Sequence, residues 1–195
     1  ASIATEESVY YLDVLSSPPP LYEYVHKMAI TDLEAAFISE SVVSNGARVS
    51  VSIGSGNQSM AISDDAVFFV GNIDNGQVND IDGYFLKKSK QGDSLWLKSF
   101  GGIYNDRFYG IDFLNDSTLI VHGDHGTLSP GEEKVWVMAL DLEGNILWER
   151  FYAGEYGLIR SRDLAVLENG NVVIVYRECL SYQSCGSGVD KRLPL

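Results

Sequence analysis

The chain has 195 residues, 45% of them hydrophobic and 21% charged, with 19 glycines, 2 cysteines and a formal net charge of −13. That length suits a single domain with a sizeable core, and the acidity disfavours nucleic acid and anionic membrane surfaces as partners. No apolar run approaches the roughly 18–20 residues a membrane-crossing helix needs, so membrane insertion is not expected. The opening Ala-Ser-Ile-Ala-Thr-Glu-Glu has neither a basic nor an apolar leader segment, so a leader is expected to have been removed or never to have existed. The first residue is not cysteine, which argues against an N-terminal lipid anchor.

In chain order, residues 8–15 mix aromatic and β-branched side chains and stop at Ser16-Ser17-Pro18-Pro19-Pro20, a strand followed by a break. A second strand is expected at 23–30, a turn at 31–34 and a short strand at 35–40. The Val/Ser/Gly-rich stretch 41–56 reads as an insertion carrying an extra strand at 48–53. Strands follow at 58–63 and 66–71, then a polar loop at 72–82 and two strands around Tyr84 and Trp96. The order repeats with strands at 107–113 and 118–123, a loop at 124–134, and strands around Trp136 and Trp148. Strands at 160–167 and 172–176 are joined by Glu168-Asn169-Gly170-Asn171, and Asn-Gly between two apolar runs is a strong hairpin signal. No segment has a sustained helical period, and about thirteen short strands define an all-β class.

The segment from Asp82 to Tyr152 holds one pattern twice. Gly71 to Gly123, Gly92 to Gly144 and Trp96 to Trp148 are each separated by 52 residues. A period of roughly 40–50 built from short strands is the mark of propeller blades. Trp96 and Phe100 point to one face of their strand, and Leu95 and Leu97 to the other. A sheet apolar on both faces needs cover on both, which stacked copies supply. The tryptophans therefore read as packing between copies. Phe37 takes their place in a degenerate first copy, 59 residues before Trp96. The expected architecture is one domain over 1–195, a β-propeller-like array of four-stranded antiparallel blades at about 8–41, 58–100, 107–152 and 160–195. The first copy is expected to lack its first strand and the fourth its last, so about three and a half blades are present. Single rings hold roughly four to eight blades, so further blades of a longer chain or homo-oligomeric ring closure is expected.

The strings Asp82-Gly83-Tyr84-Phe85-Leu86-Lys87…Gly92…Leu95-Trp96…Phe100-Gly101-Gly102…Asp106…Gly110-Ile111 and Val135-Trp136-Val137-Met138-Ala139-Leu140-Asp141…Gly144-Asn145-Ile146-Leu147-Trp148 resemble the bacterial seven-bladed β-propeller repeat family. They are also similar to the Ala-Leu-Asp…Gly…Leu-Trp repeat of quinoprotein-like propellers. The resemblance runs over about 23–176 and implies the propeller fold, together with the secreted or surface binding and scaffold roles such repeats serve.

Within His122-Gly123-Asp124-His125, two imidazoles and a carboxylate in four residues form a candidate metal set, against a histidine packed in a strand and another in solvent. Asp80 and Asp82, in an Asp/Asn-rich loop, offer hard oxygens to Ca²⁺, though turn chemistry explains them equally and the twelve-residue calcium-loop spacing is missing. Asp112, Asp141 and Asp163 recur near strand ends, but nothing places two of them across a pocket as a glycosidase requires. No catalytic fingerprint occurs, so no catalytic residue and no cofactor is expected, Ca²⁺ apart. Cys179 and Cys185 lie six residues apart in a polar Gly/Ser segment, which makes a loop-closing disulfide geometrically easy. A disulfide implies an oxidising compartment; the alternative, half a zinc site, lacks further ligands nearby. The expected role is a non-catalytic secreted, cell-surface or periplasmic module for a protein or glycan. The alternative is part of a propeller glycoside hydrolase or quinoprotein-like enzyme whose site is completed by absent blades.

Overall fold

The computed structural model describes residues 2–4, 8–15, 22–29, 42–43, 48–50, 59–74, 80–91, 93–127, 132–154, 158–179 and 189–194. These form sixteen β-strands with no helix among the described residues. β1 (Ser2–Ala4), β2 (Ser8–Leu15), β3 (Tyr22–Ala29) and β4 (Val42–Val43) make a first antiparallel sheet in that order. The second sheet runs β7 (Ala66–Asp74), β8 (Ile81–Ser89), β9 (Ser94–Phe100). On the other side of β7, two short strands share one edge: β5 (Arg48–Ser50) pairs with residues 72–74 and β6 (Met60–Ile62) with residues 67–69. The third sheet is β10 (Arg107–Asn115), β11 (Thr118–His125), β12 (Lys134–Asp141) and β13 (Ile146–Tyr152); the fourth is β14 (Leu158–Val166), β15 (Val172–Cys179) and β16 (Val189–Pro194).

The class is therefore all-β with antiparallel pairing throughout. β1, β4 and β16 are strands that apolar patterning does not reveal. β1 and β4 are only three and two residues long, and β16 reads Val-Asp-Lys-Arg-Leu-Pro, whose charges mask the alternation. The first sheet thus holds a strand ahead of β2, where the sequence pattern starts its first copy. Phe37, Gly92, Cys185 and the expected strand at 35–40 lie outside the described residues.

The 52-residue period is a period of register. In the second sheet Phe68 pairs with Lys87 and Lys87 with Trp96; in the third Ile120 pairs with Ala139 and Ala139 with Trp148. An irregularity follows at Lys87/Lys88 in one and at Ala139/Leu140 in the other. The fourth sheet follows the third with one extra residue: Phe108 pairs with Gly123, and Ser161 with Tyr176, each just before a bulge in the first strand.

β11 and β12 are buried along nearly their whole length, as expected of strands covered on both faces. β12 is a nearly continuous apolar run, while β11 is apolar only over Leu119–Val121 before His122 and Asp124. Leu119, Val121, Trp136, Met138 and Leu140 join Ala61, Phe68, Val70 and Phe85 of the second sheet in one core. The alternate side chains Ile120, Val135, Val137 and Ala139 join Ile159, Val172 and Ile174 of the fourth in another. Trp96 packs at the margin of the first core and Trp148 at the margin of the second, both half-buried.

Close approach explains Gly123. A Cβ there would lie 1.7 Å from the Arg107 carbonyl oxygen of the neighbouring strand, so β10 would have to move. Gly123→Ala is expected to lower unfolding free energy by about 3 kcal/mol or more, at the upper end of overpacking effects. Urea denaturation checks this, and a loss under about 1 kcal/mol would show that the β10–β11 pair tolerates the shift.

Candidate functional site

Polar side chains gather where one sheet meets the next, at the C-terminal end of β11 in the third sheet. Alternation along β11 divides the sequence cluster His122-Gly123-Asp124-His125 between its two faces. His122 and Asp124 turn toward the fourth sheet, where His122 Nδ1 lies 2.5 Å from Ser161 Oγ and Asp124 Oδ1 accepts the Ser161 N–H at 2.7 Å. His125 turns the other way, its Nδ1 2.7 Å from Asp106 Oδ1, a close contact out of line for a hydrogen bond. Its ring lies against Trp136 and Phe151. The metal set suggested by four consecutive residues is thus pulled apart. Among the described residues no three His, Cys, Asp or Glu side chains converge as metal ligands. Asp80 and Asp82, half-buried at the start of β8, both interact within the fold.

Asp124 is 1% exposed and holds three polar groups together. Besides the Ser161 N–H it accepts the Tyr109 hydroxyl at 2.9 Å and Arg160 Nη1 at 3.2 Å, and Arg160 extends toward Glu133 at 3.9 Å. Burial raises the Asp124 carboxyl above its usual range, against the lowering pull of the Ser161 N–H, Arg160 and Tyr109. Burial also raises the Tyr109 phenol, and the Asp124 charge raises it further. Burial would lower Arg160, but the facing Asp124 together with Tyr109 and Glu133 outweighs it and the guanidinium is held more firmly charged.

The role of Asp124 is read from its repeat partner. Asn72 lies 52 residues earlier, also directly after a glycine, and its Oδ1 accepts the Phe108 N–H of the third sheet at 3.0 Å. Ser161 is the register counterpart of Phe108. The same side-chain-to-backbone bond thus joins second sheet to third and third to fourth, where a buried main-chain donor beside each bulge needs an acceptor.

Asp106 works similarly at the connection between the second and third sheets. It is fully buried and accepts the Gly102 N–H at 2.8 Å and the Gly126 N–H at 2.9 Å. Burial raises its pKa against those two bonds and the nearby His125. The recurrent carboxylates are local. Asp112 and Asp163 each accept the next residue's N–H, at 2.7 and 2.9 Å, and burial raises Asp112. Asp141 caps the β12–β13 turn, accepting the Glu143 and Asn145 N–H groups at 2.9 and 2.8 Å. Its slight burial is outweighed by those bonds, the Asn145 amide and Lys98, which together lower its pKa.

That turn is the second notable polar contact. Gly144, at φ 71°, brings its backbone close to the benzo ring of the Trp96 indole, where a Cβ would meet the ring at 2.8 Å. Lys98 Nζ donates to Glu143 O at 2.6 Å and Asn145 Oδ1 at 3.2 Å, while Lys87 Nζ donates to Leu142 O at 3.0 Å and Glu143 Oε1 at 2.9 Å. Both ammonium groups also sit over the Trp96 ring, at 5.9 Å for Lys87 and 5.4 Å for Lys98. Sequence reasoning missed Tyr109, Arg160, Ser161, Lys87 and Lys98. The Gly71-Asn72 and Gly123-Asp124 pairs at one period were the signal that could have pointed to the inter-sheet bonds. Of the two cysteines, Cys179 ends β15 and Cys185 is outside the described residues. No protein-family model matches the chain, and no curated protein matches it.

Proposed function

We propose that this chain is a propeller-type array of four-stranded blades serving as a non-catalytic binding or scaffold module, secreted or on the cell surface, for a protein or glycan partner. One observation supports it above the rest. The Asn72–Phe108 and Asp124–Ser161 bonds repeat between successive sheets at matching register, which is how a stack of like units, rather than one unique site, is built. The repeat strings that resemble the seven-bladed propeller family point the same way. The polar residues nearest to a reactive set, Asp106, Asp124 and His122, are buried and engaged with backbone, hydroxyl or guanidinium partners. A catalytic acid and base need access to substrate instead.

The test is a paired screen of the purified chain against immobilised glycans and extracellular proteins, with hydrolysis of each bound glycan measured alongside. Saturable binding without turnover is expected. Glycan hydrolysis that disappears in Glu133→Gln or Asp112→Asn would overturn the reading in favour of an enzyme. Export has a separate check: thiol titration under denaturing, non-reducing conditions is expected to find no free thiol at Cys179 and Cys185. Two free thiols would remove the support for an oxidising compartment.

A further inference from the structure

We propose that Asn169, at the tip of the β14–β15 hairpin, is a self-modification site at which the Gly170 main-chain nitrogen displaces the side-chain amino group, leaving isoaspartate or aspartate. The site stands whatever the module binds. Residues 167–171 are all exposed, and the Gly170 N–H donates to Leu167 O at 2.8 Å while the Leu167 N–H donates to Asn171 O at 2.8 Å. Gly170 sits at φ 80°, and a Cβ there would meet nothing within 4 Å. With no side chain at 170 and open space around it, solvent and base reach the main chain at this point. The Asn169 side chain folds back along the same stretch, its Oδ1 accepting the Asn171 N–H at 3.0 Å in an Asx turn. That donor sits at the oxygen on which negative charge develops when Cγ is attacked, so the turn stabilises the tetrahedral intermediate.

The reaction needs only water. The Gly170 nitrogen, released from Leu167 O and deprotonated by solvent base, bonds to Asn169 Cγ. The Cγ–Nδ2 bond breaks, and the amino group takes a proton from solvent and leaves as ammonia. Water then opens the five-membered imide. Cleavage between Gly170 N and Cγ gives aspartate; cleavage between Gly170 N and the Asn169 carbonyl carbon gives isoaspartate, whose main chain runs through the extra methylene. Either product adds a negative charge. The chain contains its own control. Asn115, exposed in the β10–β11 turn, makes the same Asx bond, its Oδ1 accepting the Ser117 N–H at 3.0 Å and the Ser117 hydroxyl at 3.1 Å. Asp116 follows it, however, so a side chain flanks the attacking nitrogen and a carboxylate opposes its deprotonation. Among the described residues Asn169 is the one asparagine followed by glycine; the Asn-Gly pairs at 45–46 and 75–76 lie outside them.

The test incubates the folded full chain in mildly alkaline buffer for weeks and follows each asparagine by proteolysis and mass spectrometry, which keeps the three Asn-Gly pairs apart. An isoaspartate-specific carboxyl methyltransferase with a labelled methyl donor marks the isoaspartyl product. Conversion of Asn169 to both products is expected, with Asn115 intact. Gly170→Ala places a side chain beside the nitrogen and is expected to slow the loss of ammonia about tenfold or more, equivalent to about 1.4 kcal/mol of added barrier. Because alanine at a positive φ strains the turn, Asn169→Gln serves as the second variant. It leaves the backbone unchanged but forces attack through a six-membered ring, and conversion at 169 is expected to slow at least as much. A chain that keeps Asn169 when folded and loses it in urea would show that the turn protects the amide, overturning the proposal. Equal conversion at Asn115, an unchanged rate in both variants, or no conversion in either state would overturn it as well.

Discussion

Asp124→Ala is expected to lower unfolding free energy by about 3–5 kcal/mol, the range for removing one member of a buried ion pair. The substitution removes one carboxylate but strands three partners. Arg160 keeps only the distant Glu133, the Tyr109 hydroxyl loses its acceptor, and the Ser161 N–H is left without one inside a core. Asn72→Ala breaks the equivalent bond to Phe108 N–H but involves no charge, so about 1–3 kcal/mol is expected there. Asp124→Asn separates the two contributions. The amide oxygen can accept the Ser161 N–H as Asn72 does for Phe108, while the ion pair with Arg160 is lost. Its loss is expected to fall between the other two. Urea denaturation of the three variants gives the order, and an Asp124→Ala chain as stable as Asn72→Ala would show that Arg160 and Tyr109 find water instead of suffering burial.

That ordering bears on what could be read in the amino-acid string. The strands from β7 to β15 were legible because their side chains alternate or run continuously apolar, and because Gly71/Gly123 and Trp96/Trp148 repeat at one spacing. Repetition of that kind reports backbone register, and the pairing of Trp96 with Lys87 and of Trp148 with Ala139 is what it reports. The polar contacts were not legible for the opposite reason. Arg160 and Asp124 are 36 residues apart, Ser161 and His122 are 39, and Lys98 and Asn145 are 47; each pair meets only because two sheets pack face to face. Closeness in sequence misled instead. His122 and His125 are neighbours in the chain, but a strand places residues three apart on opposite faces, so one meets the fourth sheet and the other meets Asp106.

The largest pH effect is expected from His122. Burial drives its imidazole pKa down from the ordinary 6.5 to about 3, so the folded chain holds it neutral. The unfolded chain takes up the proton as pH falls through about 6.5, and the folded chain does not until about 3. The unfolded state therefore binds more protons in that window, and stability is lost as the solution is acidified from neutrality, on the order of 5 kcal/mol over the whole window. Asp106, Asp112 and Asp124 act in the opposite sense. Their carboxyls are raised by burial, so the folded state is protonated first and gains stability toward acid, in the range between the raised values and the ordinary 3.8. Subtracting a variant isolates the histidine. The repeat supplies the design, because Val70 occupies the corresponding place in the second sheet. His122→Val combined with Ser161→Ala removes the imidazole and the hydroxyl together, leaving no orphan at the interface. The gap in unfolding free energy between parent and double variant is expected to shift in the variant's favour by about 3 kcal/mol between pH 7 and pH 4.5. Parallel pH curves would mean that the imidazole reaches water in the folded chain and is protonated there as freely as in the unfolded one.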